Sequence, residues 1–74
     1  MRRVYLIIFD KPGRSLSGWH YRKLREFGGR WIQRSAIEVS DAATARELVE
    51  ALREFGVREI RIFKAADITD YVGT

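Results

Sequence analysis

The chain has 74 residues, no cysteine and a single histidine, which excludes a disulfide framework, a thiolate metal site and the usual zinc ligand sets. Residues 1–37 hold nine of the fourteen Lys and Arg residues but only two of the ten acidic residues, although the net charge of the chain is only +4. We expect one small domain that gains stability from a partner chain, and the basic half favours nucleic acid as a ligand.

The first predicted element is the apolar segment VYLIIFD at residues 4–10. It is rich in β-branched and aromatic residues and is followed by the turn signal Lys11-Pro12-Gly13, so we predict a central strand buried on both faces. Its six consecutive apolar residues are far fewer than the roughly 20 that a membrane helix needs. We therefore expect a cytoplasmic protein without a membrane partner.

A helix is predicted over residues 17–27, because apolar residues recur there at the spacing of one helix face and Gly28-Gly29 follow as a C-terminal stop. The residues of this face are Leu16, His20, Leu24 and Phe27. His20 has the chemistry of a general base, but its place among apolar residues favours a packed or interface histidine.

Residues 30–40, RWIQRSAIEVS, are predicted to be extended, either as one long strand or as two strands pinched at Arg34-Ser35. Ser40 as N-cap and Asp41 in the first turn open a second helix, which Gly56 closes. The apolar face of that helix consists of Ala45, Leu48, Val49, Leu52 and Phe55. Apolar and polar residues alternate over residues 59–64, which predicts a further strand, and residues 65–74 could add a short edge strand.

The pentapeptide LREFG occurs at residues 24–28 and again at residues 52–56, and the match extends to seven of nine positions. One interpretation is coincidence, since good helix formers before a glycine are common at helix ends. The other is two equivalent halves, each with a helix that ends in LREFG and leads into a strand. We therefore predict an α+β, ferredoxin-like βαββαβ domain, with two helices on one face of an antiparallel sheet.

Such a sheet leaves its second face uncovered, and the first strand is apolar on both sides. Val4, Leu6 and Ile8 point one way, and a second set points the other. We assign this second set, Tyr5, Ile7 and Phe9, to the interface of a two-fold homodimer packed sheet against sheet, or edge to edge through the tail.

The apolar strand that ends in Asp10, the first LREFG and the segment WIQRSAIEV resemble the small CRISPR-associated Cas-two family of the adaptation module, and VapD-like proteins share that fold. The resemblance implies a homodimer that binds RNA or DNA. In some members it implies a Mg²⁺-dependent endonuclease acting on single-stranded RNA or double-stranded DNA, and in others a non-catalytic scaffold for the CRISPR integrase. Phe9 and Ile37 depart from the family pattern, where tyrosine and phenylalanine are common.

By the same resemblance, Asp10 matches the strand-end aspartate that is proposed to hold the metal and to be catalytic. One carboxylate is a poor Mg²⁺ site, but two-fold symmetry would pair the Asp10 side chains of two chains. The alternative is that Asp10 only caps the turn that follows it. Gln33, Arg34 and Ser35 match the QRS stretch of the family, and Glu38 matches its next acidic residue.

The basic half offers a track of cations for phosphate binding, and the alternative for them is a solvated face. The track consists of Arg14, Arg22, Lys23, Arg25, Arg30 and Arg34. Trp19, Tyr21 and Trp31 are candidates for stacking on bases, although aromatic residues at these spacings are more often core or interface residues. A ferredoxin-like interaction protein that binds no nucleic acid is the third hypothesis.

Overall fold

A computed structural model describes residues 2–10 and 16–71 of the chain. Two helices and four strands form in the segments where the sequence predicts them. The elements in chain order are β1 (Arg2–Phe9), α1 (Gly18–Arg25), β2 (Arg30–Gln33), β3 (Ala36–Val39), α2 (Ala42–Glu54) and β4 (Ile60–Asp67), followed by a short 3₁₀ helix (Thr69–Tyr71). The sheet order is β2-β3-β1-β4, and every neighbouring pair is antiparallel. This arrangement confirms the ferredoxin-like α+β fold with β1 at its centre.

The β2–β3 segment folds as a hairpin, so the second of the two predicted arrangements holds, with the turn at Arg34-Ser35. At the other end of the chain, residues 65–67 extend β4 and the 3₁₀ helix follows. The described residues therefore add no fifth strand, and residues 72–74 of the predicted edge strand lie outside them. Neither described helix is long and apolar enough to cross a membrane.

Both helices pack on the same face of the sheet and share one apolar core with β1 and β3. The members of this core are Ile7, Phe9, Leu16, Leu24, Ile37, Val39, Ala45, Leu48, Val49, Ala51, Leu52 and Val57. The predicted face of α2 is confirmed, since four of its five residues are buried and Phe55 packs against them. Phe27 departs from the prediction for α1 and is 38% exposed, because α1 ends at Arg25 and the backbone continues in i→i+3 hydrogen bonds.

This packing corrects our assignment of Tyr5, Ile7 and Phe9 to the interface with a partner chain. Ile7 is 0% exposed and Phe9 is 3% exposed, and both lie under the helices with Tyr5 packed beside them. The opposite side of β1 carries the half-buried Leu6 and the exposed Ile8. A partner sheet would therefore meet Leu6 and Ile8, and the homodimer itself stays a prediction.

Helix α1 begins with a capping box in which histidine takes the place of the usual Glu or Gln. The hydroxyl of Ser17 accepts from the His20 backbone N–H (3.4 Å), and His20 Nδ1 accepts from the Ser17 backbone N–H (3.1 Å). The imidazole also packs against Phe55, with ring centroids 4.6 Å apart. The prediction of a packed histidine is confirmed.

The N-cap of helix α2 is Asp41, one residue later than the predicted N-cap Ser40. Its carboxylate accepts from the Thr44 backbone N–H (2.9 Å) and from the Thr44 hydroxyl (2.8 Å). These two hydrogen bonds, the backbone one first, hold the pKa of Asp41 below its ordinary value of 3.8. The ionised cap therefore stabilises the fold above that value, and the contribution is lost as the pH falls through the lowered pKa.

Asp41→Asn keeps a good capping side chain but removes the charge. We expect the wild-type protein to be the more stable at neutral pH, and the difference in the free energy of unfolding to shrink below pH 3.8. Urea unfolding of both proteins on either side of that pH measures the difference. A difference that does not change with pH would contradict the assignment of the charged cap.

Candidate nucleic-acid interface

Two arginine side chains lie over aromatic rings where α1 meets β2. The Arg25 guanidinium is 5.7 Å from the centroid of the Trp31 ring, and the Arg34 guanidinium is 5.2 Å from the centroid of the Tyr21 ring. The two rings contact each other edge to face at 5.6 Å, and Phe9 supports Trp31 from the core at 6.2 Å. We call Tyr21, Arg25, Trp31 and Arg34 the arginine–aromatic cluster.

The sequence builds this cluster from three neighbouring elements. Tyr21 and Arg25 are four residues apart on α1 and therefore lie one above the other on the same side of the helix. Trp31 is paired with Ile37, which is buried in the core, so the indole lies on the helix side of the sheet. Arg34 occupies the turn between β2 and β3.

Stacking leaves these guanidinium groups able to bind an anion. A guanidinium that stacks on a ring through its face keeps the N–H donors in its own plane available, and these suit the oxygens of a phosphate. Over residues 2–10 and 16–71, no ion pair engages Arg22, Arg25, Arg30 or Arg34. Their charges are therefore not neutralised by a carboxylate of the described chain.

The structure divides the predicted cation track between two surfaces. Arg22 is exposed on α1, one turn from Arg25, and so continues the cluster. Arg30 pairs with Glu38, the partner of Leu6, and therefore lies on the uncovered face of the sheet, away from the cluster. Arg14 lies outside the described residues.

Lys23 is the remaining member of the predicted track, and it lies on the side of α1 that faces away from Arg25. Its ammonium nitrogen is 5.7 Å from the centroid of the Trp19 ring and 3.7 Å from a carboxylate oxygen of Glu26. Lys23 is thus partly neutralised, and the arginines supply most of the available charge on this surface.

Asp10 is exposed at the end of β1, where its backbone N–H donates to the Glu59 carbonyl (3.0 Å). In the part of the chain that the structure describes, no three His, Cys, Asp or Glu side chains are grouped closely enough to hold a metal ion. One exposed carboxylate does not by itself make an octahedral Mg²⁺ site, so the site that would pair Asp10 of two chains stays a prediction and we derive no step of cleavage through it. The alternative turn cap falls on residues 11–13, outside the described residues.

A charged cluster at one end of the uncovered sheet face was not found from the sequence. The Arg2 guanidinium donates to Glu38 (2.8 Å) and to Asp67 (3.0 Å). The Thr69 hydroxyl and then its backbone N–H hold the pKa of Asp67 below its ordinary value of 3.8, and Arg2 adds to this effect. The three charged residues come together only through the strand register, which is not visible in the sequence pattern.

Apolar side chains occupy the rest of this face. Ile8, Ile32 and Phe63 are exposed on it, and Leu6 lies half-buried between them. This is the surface that the predicted homodimer would cover, and it lies on the opposite side of the sheet from α1 and the arginine–aromatic cluster.

No protein-family model matches this chain, and a search of curated proteins finds no significant match to it. The resemblance to the Cas-two family therefore stays a prediction, and the arginine–aromatic cluster is the feature of the described structure whose chemistry points to a ligand.

Proposed function

We propose that this protein binds nucleic acid through the phosphate backbone, using Arg22 and the arginine–aromatic cluster. The observation that carries the proposal is the pair of guanidinium groups that lie over aromatic rings, at 5.2 and 5.7 Å, without an ion-pair partner in the described chain. Structural arginines on protein surfaces commonly pair with carboxylates, as Arg2 does here with Glu38 and Asp67. The arginines of the cluster are instead arranged for an external anion.

Stacking also lowers the cost of binding. A long side chain loses roughly 0.5–1.5 kcal/mol of conformational entropy when a ligand immobilises it. The rings of Tyr21 and Trp31 already restrict Arg34 and Arg25, so less freedom remains to be lost on contact with a phosphate. Phosphate contacts carry no sequence information, so we expect binding with little sequence preference.

The predicted homodimer is compatible with this role. A partner that covers Leu6 and Ile8 would sit on the uncovered sheet face and leave both copies of the cluster exposed to a ligand. Two clusters on one particle would raise the affinity for a strand long enough to reach both. The proposal concerns binding alone, whether the protein serves as a scaffold for another protein or binds nucleic acid by itself. It involves no chemistry at Asp10.

Salt dependence tests the proposal directly. Anisotropy of a fluorescein-labelled oligonucleotide measures the association constant between about 50 and 200 mM salt. Three phosphate contacts per chain predict a slope of about −2 to −3 in a plot of log K against log salt concentration. Absence of binding at the lowest salt, or a slope near zero, would overturn the proposal.

A further inference from the structure

Trp19 is a large aromatic residue that remains exposed although the fold holds its ring in place. It lies in the first turn of α1 and is 52% exposed. The ring nevertheless rests on Phe55, with centroids 5.8 Å apart, and on His20, with centroids 5.4 Å apart. His20 is in turn fixed by its capping interaction with Ser17. Trp19 is therefore held by neighbouring rings but open to solvent, so of the two alternatives to base stacking, a core or an interface residue, the core position is wrong.

One cation lies beside this ring, and others follow along the same helix. The Lys23 ammonium lies 5.7 Å from its centroid, near the outer limit of about 6 Å for a cation–π contact. Arg22 follows Trp19 by three residues and Arg25 follows Arg22 by three, so Arg22 lies between the side of α1 that carries Trp19 and Lys23 and the side that carries the arginine–aromatic cluster. A strand that passes from the cluster over Arg22 and around the helix would reach Trp19.

We propose that Trp19 stacks on an unpaired base, and that the ligand is therefore single-stranded RNA or DNA. This inference rests on the proposed function, because the arginines hold the backbone from which that base projects. A duplex covers the faces of its bases by stacking them on one another, whereas every unpaired base offers a π face to an aromatic ring. Supported aromatic rings beside a basic groove are how non-specific single-strand binding is achieved.

Fluorescence of Trp19 gives a readout of stacking itself. The chain has two tryptophans, so the contribution of Trp19 is the part of the fluorescence that Trp19→Phe removes at saturating oligonucleotide. Trp31 of the arginine–aromatic cluster is unchanged in both proteins. We expect oligothymidine of about 12 nucleotides to quench the Trp19 contribution in step with binding, and a duplex of equal length to quench it much less.

Affinity gives the second readout. Trp19→Ala is expected to weaken binding of labelled oligothymidine roughly 5- to 150-fold and to leave duplex binding nearly unchanged. Phe27→Ala is the matched control, since Phe27 is another exposed aromatic residue but has no cation over its ring in the described chain. Trp19→Phe keeps an aromatic ring and is expected to bind more tightly than Trp19→Ala; this comparison decides the question if the alanine variant folds poorly.

The outcomes separate the two proposals. Binding in the anisotropy assay without quenching of Trp19, or with equal single-strand affinity of wild type, Trp19→Ala and Trp19→Phe, would overturn the stacking role and leave phosphate binding intact. Either of these results would also favour a protein partner for the exposed indole of Trp19. No binding of either oligonucleotide at low salt would overturn both proposals.

Discussion

Replacing Gly29 by alanine is expected to destabilise the protein by about 2–5 kcal/mol, a large part of the stability of so small a domain. Gly29 has φ +88°, and a Cβ there would lie 2.8 Å from Val39 Cγ1 and 3.1 Å from Ile37 Cγ2. Both neighbours are buried in the core and have little room to move. The substitution therefore combines a left-handed backbone cost of roughly 1–2 kcal/mol with roughly 1–3 kcal/mol of overpacking.

The chain provides matched controls for this prediction. Gly28 has φ +95° and Gly56 has φ +93°, but a Cβ at either position would meet nothing within 4 Å in the described structure. Gly28→Ala and Gly56→Ala should therefore show only the backbone cost, about 1–2 kcal/mol. Urea unfolding of the three variants isolates the steric contribution as the excess for Gly29→Ala. Equal losses at positions 28 and 29 would show that the contact with β3 is unimportant.

The two copies of LREFG differ in packing at the residue that follows the final glycine, which is Gly29 after the first copy and Val57 after the second. After the second copy, Val57 donates to the Leu52 carbonyl and Gly56 donates to the Arg53 carbonyl, both at 3.0 Å, which is the Schellman pattern. Val57 is buried in the core as part of this helix end. After the first copy, Gly29 occupies the equivalent position, because the backbone passes too close to β3 for a side chain. The repeat predicted a glycine at the end of each helix but not the reason for the second glycine at position 29.

The fold was predictable because each element has its own local signal. The apolar spacing of α2 and the turn residues around the strands locate the elements without knowledge of their neighbours. The buried side of β1 had no such signal, since the segment VYLIIF is apolar at every position. Only the docking of the helices distinguishes Ile7, which they cover, from Ile8, which they leave exposed.

The site was predictable as a set of residue types but not as a surface. In one continuous strand, alternation would place Arg30 and Arg34 on the same face, yet the register shifts between Trp31 and Gln33, and Arg34 lies in the turn beyond. The alternation therefore breaks between the two arginines, and they lie on different surfaces. The contact between Tyr21 and Trp31 depends on how α1 packs beside β2, which the sequence pattern does not reveal.

The double variant Arg25→Glu/Arg34→Glu reverses the charge of the arginine–aromatic cluster and is expected to weaken nucleic-acid binding at low salt by more than about 100-fold. Each arginine contributes a charge-assisted contact of roughly 1.5 kcal/mol, and each glutamate adds repulsion from the phosphate backbone. The slope of log K against log salt concentration should also become shallower by about 2, one for each lost phosphate contact.

The double variant Arg46→Glu/Arg53→Glu is the charge-matched control. Both arginines are exposed on α2, where they line a surface shared with Ile62 of β4. Strands β4 and β2 are opposite edges of the sheet, so this surface lies across the molecule from the cluster. The two double variants have the same net charge, and a ligand attracted only by overall charge would bind them equally. Binding that is lost in the cluster variant and largely retained in the α2 variant would instead place the phosphate contacts at α1 and β2, provided that thermal unfolding shows both proteins folded.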